Sequence, residues 1–450
     1  MIRRRRYPLF LLVLGTLLLA GGCGGSSSPG DGAEDDGQQV RDGVEVETVA
    51  DGLEHPWGMA FLPGDENLLL VTERPGRLQL VDRQTGEMTE VDGVPEVAAV
   101  GQGGLLDVAL YPDFGPGQEW VYLTWAGANE DSTEYATHVG RGRLVGDTAP
   151  RLEDFELLHV ATPFSSSTGH FGSRLVFDDN WHLYVTVGDR RERDAAQDLE
   201  SHWGKTLRLN RDGSIPADNP FVDDPDAFDA IYTYGHRNAQ GMAVDPATGL
   251  IWQNEHGQKN GDEINIIDQA GGNYGWPIAT CSREYDSGEP IGDLPHENPD
   301  TVDPVFCWDG SEYDDGQEGF PPSGMAFYDG ENFDQWETLP DWGRGDLLMG
   351  NLAHQYLGRF SRLGGGVPMK RACCAMRNGA SAMSPWNRLL AMFTCWSMQT
   401  TPRLCVCVRP HPDLLLHGLQ GVDHAAAGAH AAGDLGQGSH PTWNERRVCY

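Results

Sequence analysis

The most regular feature of the chain is a recurring pair of short apolar runs that alternate with polar positions. From about residue 46, a small or apolar stretch meets an Asp/Pro/Gly turn and an alternating run follows, as in Gly58-Met59-Ala60-Phe61 before Leu68-Leu69-Leu70-Val71-Thr72. The pairing returns as Leu106–Leu110 with Trp120–Thr124, Arg174–Phe177 with Leu183–Val187, and Gly241–Val244 with Leu250–Trp252. A fifth begins at Gly324-Met325-Ala326-Phe327 and ends near Leu347-Leu348-Met349. Side chains two apart share one face of a strand, so this alternation predicts β-strands, and the Gly/Asp/Pro segments between them predict turns. One such unit repeating roughly every 50 to 85 residues predicts the blades of a β-propeller rather than a β-sandwich, which would not repeat the pairing so regularly. No sustained helical period appears before residue 360, so the expected class is all-β.

The pattern stops near residue 361. Six of the nine cysteines fall beyond it, at Cys373, Cys374, Cys395, Cys405, Cys407 and Cys449. Only four acids, Asp413, Asp423, Asp434 and Glu445, occur in the same stretch of a very acidic chain. A disulfide-rich appendage would show turn punctuation and regular spacing, and neither is present. A shifted reading frame accounts for the change better. Back-translated and read two nucleotides later, Met392 to Cys407 permits V-[HY]-[LMV]-L-V-D-A-D-D-A-P-L-V-R-V, a strand, an acidic turn and a second strand. Ala375 to Ser384 in that frame permits D-A-E-R-R-I-R-D-V. The expectation is a six-bladed propeller over 46–360 with five blades readable and the sixth disrupted, followed by a frameshifted, non-native tail at 361–450.

Ahead of the domain, residues 1–22 read as a signal peptide, with Arg3 to Arg6 as its basic start and Leu9 to Ala20 as its apolar run. Ala20-Gly21-Gly22-Cys23 resembles a bacterial lipobox, with Cys23 as the acylated residue, although Leu is usual where Ala20 stands; an ordinary cleaved signal is the alternative. Residues 23–45 then form the Cys23 anchor and a tether rich in Gly, Ser, Asp and Pro. Export on either reading implies an oxidising compartment, so a disulfide between Cys281 and Cys307 is expected. Lys and Arg number 32 against 67 Asp and Glu, a net charge of -35, with no basic stripe; this excludes a nucleic-acid partner and disfavours strongly anionic substrates.

Four loops carry candidate chemistry. Gly169-His170-Phe171-Gly172-Ser173-Arg174 offers an imidazole, suited to proton abstraction near neutral pH, on a loop leading into a strand. Taken alone, such a histidine is more often structural or merely exposed. Tyr234-Gly235-His236-Arg237-Asn238-Ala239-Gln240-Gly241 places a guanidinium beside an amide, which suits a carboxylate and a carbonyl, or else simple turn chemistry. Asn254 to Glu263, closing with Gly272-Asn273-Tyr274-Gly275-Trp276-Pro277, offers oxygen ligands on a Gly-rich backbone, as Ca²⁺ requires, or a solvated acidic loop. Gln102 sits in a fourth such loop, Gly101 to Leu106.

In kind, order and spacing, these strings resemble the soluble aldose sugar dehydrogenases of the glucose/sorbosone dehydrogenase superfamily, which depend on pyrroloquinoline quinone (PQQ). The resemblance spans about residues 50 to 360. It implies a six-bladed propeller with PQQ over the central channel and His170 as the general base at the sugar's C1 hydroxyl. Gln102, Arg237 and Asn238 match cofactor-contacting positions, and Trp308 matches a residue covering cofactor or substrate. Gly257 and Gln258 fall where two main-chain carbonyls hold the PQQ-bound Ca²⁺; Glu263 and Tyr274 match a second, structural calcium site. Several positions depart from the family pattern. Ser173 stands where glycine is usual, Gln258 where proline is common, and Ala353 where a cofactor-binding lysine is frequent. The cofactor arginines of an R-x-R-D-V string are missing, and the shifted frame would restore them.

The implied reaction is oxidation of aldose sugars to lactones, with electrons passed to an envelope acceptor and the protein held at the membrane through lipidated Cys23. The alternatives are a non-catalytic carbohydrate- or protein-binding propeller and a lactonase-type propeller hydrolase. His170 with the Arg237-Asn238 pair and Gln102 favours the dehydrogenase.

Overall fold

The computed structural model describes residues 39–41, 44–65, 67–308, 319–328, 345–352, 356–360, 369–375 and 406–409. The signal peptide, Cys23, Ala353 and nearly all of the segment after residue 375 lie outside them.

The regular secondary structure of the described residues is β-strand apart from two short 3₁₀ turns. β1 (Gln39–Arg41) and β2 (Val44–Asp51) form a hairpin. The first blade then runs β3 (Pro56–Phe61), β4 (Leu68–Glu73), β5 (Arg77–Asp82) and β6 (Met88–Glu90). The second is β7 (Leu105–Leu110), β8 (Trp120–Ala128), β9 (Tyr135–Val145) and β10 (Arg151–Val160). The third is β11 (Leu175–Phe177), β12 (Leu183–Val187), β13 (Lys205–Leu209) and β14 (Ile231–Tyr234), with one 3₁₀ turn at Arg193–Gln197. The fourth joins β15 (Ala239–Val244), β16 (Ile251–Glu255) and β17 (Glu263–Ile266) to β20 (Phe306–Cys307). A separate two-stranded hairpin, β18 (Ala279–Arg283) with β19 (Pro290–Gly292), and a 3₁₀ turn at Pro295–Glu297 lie between β17 and β20 in the chain. The fifth is β21 (Pro322–Phe327), β22 (Leu347–Asn351), β23 (Tyr356–Phe360) and β24 (Met369–Ala375). Each blade is a four-stranded antiparallel meander.

All five strand pairs read from the sequence thus fall on the first two strands of successive blades. The alternation predicts strands with one wet face, but β12 and β16 are buried at every position. The reason is stacking: a blade's middle strands have a neighbouring blade against each face, so both faces are covered. Leu70 and Leu78 of the first blade share a cluster with Val108, Val121 and Leu123 of the second. Tyr122 and Val139 meet Leu183, Val185 and Leu207 of the third, and Trp252 and Ile264 of the fourth meet Met325, Phe327 and Leu347 of the fifth. The innermost strands β3, β7, β11, β15 and β21 neighbour one another in that order.

Polar clamps recur at the same register of the second strand. Thr72 donates to Leu106 O at 2.5 Å, Thr124 to Ser173 O at 2.7 Å, and the Asn254 amide to Ser323 O at 2.9 Å. Each fastens one blade to the lead-in of the next. A side-chain donor there is worth its place because the carbonyl it satisfies is cut off from water.

Among the described residues a sixth four-stranded sheet is absent. β25 (Val406–Arg409) instead runs parallel to β2, making a three-stranded sheet with β1. β24 lies past residue 360, and its main-chain pairing with β23 places it in the fifth blade. Cys281 and Cys307 are joined, with their Cα atoms 6.3 Å apart and a sequence separation of 26. Closing a loop of that length removes about 3.5 kcal/mol of chain entropy from the unfolded state in the simple loop-closure picture.

Candidate active site

Four of the sequence-derived residues, Gln102, His170, Arg237 and Asn238, converge through three loops that lead into inner strands. His170 precedes β11 with φ +53, a left-handed conformation set between glycines. A Cβ on Gly188 would come within 2.2 Å of His170 O, so the glycine lets the end of β12 approach this loop main chain to main chain. The residue that follows is Asp189. Its Oδ1 lies 2.7 Å from His170 Nδ1, and both side chains are buried. The second carboxylate oxygen accepts the Trp276 indole N–H at 2.9 Å, while Oδ1 also accepts the Arg191 N–H at 2.8 Å. A carboxylate only accepts, so His170 carries its proton on Nδ1 and keeps the Nε2 lone pair free.

The electrostatics agree with a neutral imidazole. Burial is the chief reason His170 has a lowered pKa, and the Arg237 guanidinium adds to it against the opposing pull of Asp189. For Asp189, burial disfavours the charge, but His170 and Arg237 outweigh it and hold the carboxyl below its usual value. The pair is therefore poised as base and orienting anion.

Two further residues hold the His170 loop. Gln102 Oε1 accepts the His170 N–H at 2.7 Å, so the residue expected to touch a cofactor also positions the histidine. The buried Arg190 donates to Gly169 O at 2.6 Å and to Ser167 O, and its guanidinium lies 3.5 Å from the Phe171 ring centre. Ser173, where glycine is usual, adopts φ +89 and hydrogen-bonds Phe171 O at 3.2 Å.

Arg237 and Asn238 precede β15 and are buried. The Arg237 N–H is taken by Glu255 at 2.6 Å, and its guanidinium reaches His256 O at 3.1 Å and the Tyr285 hydroxyl at 3.3 Å. It also lies 5.4 Å from the Trp276 ring centre, which links it to the partner of Asp189. Asn238 Oδ1 accepts the Gly172 N–H at 3.3 Å, so this side chain touches the His170 loop directly.

The 257–262 loop follows β16. Asp262 accepts the Gly257 N–H at 3.0 Å and the Phe320 N–H at 2.9 Å, and burial pushes its pKa up to about 6. Among the described residues no N–H donates to the carbonyl oxygens of Gly257 or Gln258. Gly257 is buried, and a buried carbonyl without a donor is costly unless something else satisfies it. Consecutive carbonyls in that condition suit a hard cation.

The side chains of Glu263 and Tyr274 have different hydrogen-bond partners. The Tyr274 hydroxyl donates to Ile266 O at 2.6 Å, and its ring stacks on His236. His236 meets Glu255 at 2.9 Å, and the Asn265 amide bridges Glu255 and Glu263. Burial, followed by the charge of Glu255, raises the Glu263 pKa well above the ordinary value. Among the described residues no group of three or more His, Cys, Asp or Glu is placed to hold a metal. Trp308 is wholly buried and stacks on Phe320 at 4.9 Å; its tie to the 257–262 loop is through its main chain.

Asp189 and Arg190 were not singled out in the sequence, and Asp262 and Trp276 only as parts of strings. One signal was available for Asp189: Glu73 and Glu255 close β4 and β16, and Asp189 follows the end of β12.

A sequence model of the family described as Glucose / Sorbosone dehydrogenase matches residues 53–375. The chain is 43% identical over 295 residues to the aldose sugar dehydrogenase YliI of Escherichia coli, covering 65% of this chain and 76% of that protein. It is 35% identical over 254 residues to quinoprotein glucose dehydrogenase B of Acinetobacter calcoaceticus, covering 51% of this chain and 52% of that one. Among solved structures, the apo-form of the soluble aldose sugar dehydrogenase from Escherichia coli aligns with TM-score 0.64 and 39% identity, covering 72% of this chain and 88% of that one. The PQQ-bound form of aldose sugar dehydrogenase from Streptomyces coelicolor aligns with TM-score 0.56 and 31% identity, over 72% and 83% of the chains.

Proposed function

Because the chain belongs to the glucose/sorbosone dehydrogenase family, we propose that it is an oxidoreductase taking aldose sugars to lactones at C1 with PQQ and Ca²⁺. The observation that carries this reading is the buried His170–Asp189 pair with Nε2 free. A binding module has no use for an imidazole whose tautomer is fixed by a carboxylate. The residues present fit the cation and the quinone end of PQQ: among the described residues the Gly257 and Gln258 carbonyls are without N–H donors, and Arg237 and Asn238 adjoin the histidine loop. The carboxylate end is less well supplied, since Ala353 replaces a lysine and the R-x-R-D-V arginines are absent from this frame.

When bound, PQQ supplies the two-electron acceptor and Ca²⁺ the Lewis acid that polarises it. The chain's own work is proton transfer and positioning. His170 Nε2 takes the proton of the C1 hydroxyl, and Asp189 stabilises the imidazolium as it forms. Trp276 and the Arg191 N–H keep the carboxylate aligned, while Gln102 and Arg190 fix the backbone on which the histidine rides. Burial keeps bulk water from the imidazole, so its proton affinity is set by these neighbours.

Export and anchoring through lipidated Cys23 would put the domain in the cell envelope, with an envelope carrier as electron acceptor. The test is dye reduction by aldoses, with PQQ and Ca²⁺, in a chain whose reading frame is corrected after residue 360. His170→Ala should abolish turnover yet retain PQQ. Turnover near the parent's would remove His170 from its role, and failure of the corrected chain to take up PQQ would end the dehydrogenase reading.

A further inference from the structure

The 257–262 loop is gripped from two sides by segments that a single disulfide joins. On one side, Ser282 Oγ accepts the Gln258 N–H at 3.1 Å. Arg283 and Lys259 exchange main-chain hydrogen bonds of 3.2 and 3.0 Å. Both residues follow Cys281 in β18. The packing there is close, since a Cβ on Gly261 would meet Ser282 Oγ at 2.3 Å. On the other side, Trp308 follows Cys307. Its N–H donates to Asp262 O at 2.9 Å, and its carbonyl accepts the Gly261 N–H at 2.5 Å. Cys307 itself is the register partner of Glu263.

The two grips differ in how they are anchored. β20 is the outer strand of the fourth blade, whereas β18 pairs in a sheet only with β19. The Cys281–Cys307 bond ties that hairpin covalently to the blade at the level of this loop, alongside the Thr280 Oγ1 donation to Glu263 Oε1 at 3.3 Å.

We propose that the Cys281–Cys307 disulfide is a positioning element of the cation site, clamping residues 257–262 so that the Gly257 and Gln258 carbonyls stay arranged for Ca²⁺. The inference rests on the Ca²⁺ reading given above. A loop held in its bound shape spends less ordering entropy on binding, so loss of the clamp weakens affinity without removing a ligand. Supporting groups of this kind are worth about 10- to 100-fold in metal affinity.

The test is Ca²⁺ titration calorimetry on the full chain, frame-corrected after residue 360 and stripped with chelator. The oxidised protein is compared with protein reduced by dithiothreitol and desalted, and with the C281S/C307S double variant. In the reduction the S–S bond takes up two electrons and two protons to give two thiols, while the dithiol closes to its cyclic disulfide. Asp262→Asn, which weakens the hold on the Gly257 N–H, identifies which bound cation belongs to this loop. The expected result is a Kd weakened about tenfold or more in both disulfide-free forms. The unfolding midpoint in excess chelator is recorded alongside. A lowered midpoint with a Kd within about twofold of the oxidised chain would mean the bond serves global stability alone, and would overturn the proposal. Absence of saturable Ca²⁺ binding by the oxidised chain would overturn the cation reading and this inference together. Should the double variant fail to fold, the protein reduced after folding carries the comparison.

Discussion

Replacing Asp189 with asparagine isolates what the carboxylate does for His170, because the change is nearly isosteric. The carboxylate accepts from three donors: His170 Nδ1 at 2.7 Å, the Arg191 N–H at 2.8 Å and the Trp276 indole at 2.9 Å. An amide has one accepting end. If its oxygen faces His170 and Arg191, its NH₂ opposes the Trp276 N–H, and an unsatisfied buried donor costs about 1–3 kcal/mol. If it flips, the oxygen takes the indole proton and the NH₂ donates to His170 Nδ1. The imidazole must then carry its proton on Nε2, where the base is needed. Either arrangement lowers the fraction of competent enzyme, and the loss of the anion also removes stabilisation of the imidazolium. The expected outcome for the frame-corrected chain in the dye-reduction assay is a fall in kcat of about 10²- to 10⁴-fold, with KM changed far less. Because Asp189 raises the His170 pKa, its loss should also move the acid limb of the rate profile to lower pH. A kcat within about threefold of the parent would refute the assignment of Asp189 as the orienting anion.

Three other outcomes follow from the same geometry. In the parent enzyme, a base whose pKa is lowered by burial and by Arg237 stays deprotonated below its usual value, so kcat/KM should hold from neutrality down past about pH 6.5 before falling. An acid limb centred above that pH contradicts the reading. Thr124→Val strips the hydroxyl that serves Ser173 O and the Asp107 N–H, and should cost about 1–3 kcal/mol in urea unfolding; no measurable loss would remove the inter-blade clamp from the account. The chain as written, lacking a sixth four-stranded sheet among its described residues, should yield little soluble holoenzyme, because open strand edges favour association. Equal dye reduction by the written and frame-corrected chains would refute that consequence of the missing blade.

The five strand pairs were legible because turn chemistry and apolar runs punctuate them, as at Leu68–Thr72 and Leu183–Val187. Burial was less so. Whether Leu183–Val187 has one covered face or two depends on blades far away in sequence, and local alternation is silent about it. The convergence of His170, Arg237 and Asn238 came from the ordered set of motifs. Asp189 escaped because an acid at a strand end is unremarkable in a chain with 67 acidic residues. Glu73 and Glu255 occupy comparable places and serve Arg77 and His236, so position alone does not say which acid faces a catalytic histidine. That information lies in Gly188, whose missing Cβ brings the two loops together.

Gln258 shows how a departure from the family pattern can be compensated rather than lost. Proline, common at that position, would fix φ and remove an N–H, making the loop stiff by its own covalent structure. With glutamine, that stiffness has to come from elsewhere. The freed N–H donates to Ser282 Oγ, and the side-chain amide reaches Glu284 at 2.7 Å, which is itself paired with Arg193 at 2.8 Å. Those partners sit on the β18–β19 hairpin and on the turn after Asp189, so the loop acquires ties to the segment that orients the base. The Glu284–Arg193 pair is partly exposed and worth little alone. What makes the arrangement firm is that Ser282 adjoins a cysteine bonded to the blade on the loop's opposite flank. Rigidity that proline supplies from within one residue is here distributed over hydrogen bonds and a covalent link, which makes it sensitive to a reductant where proline is not.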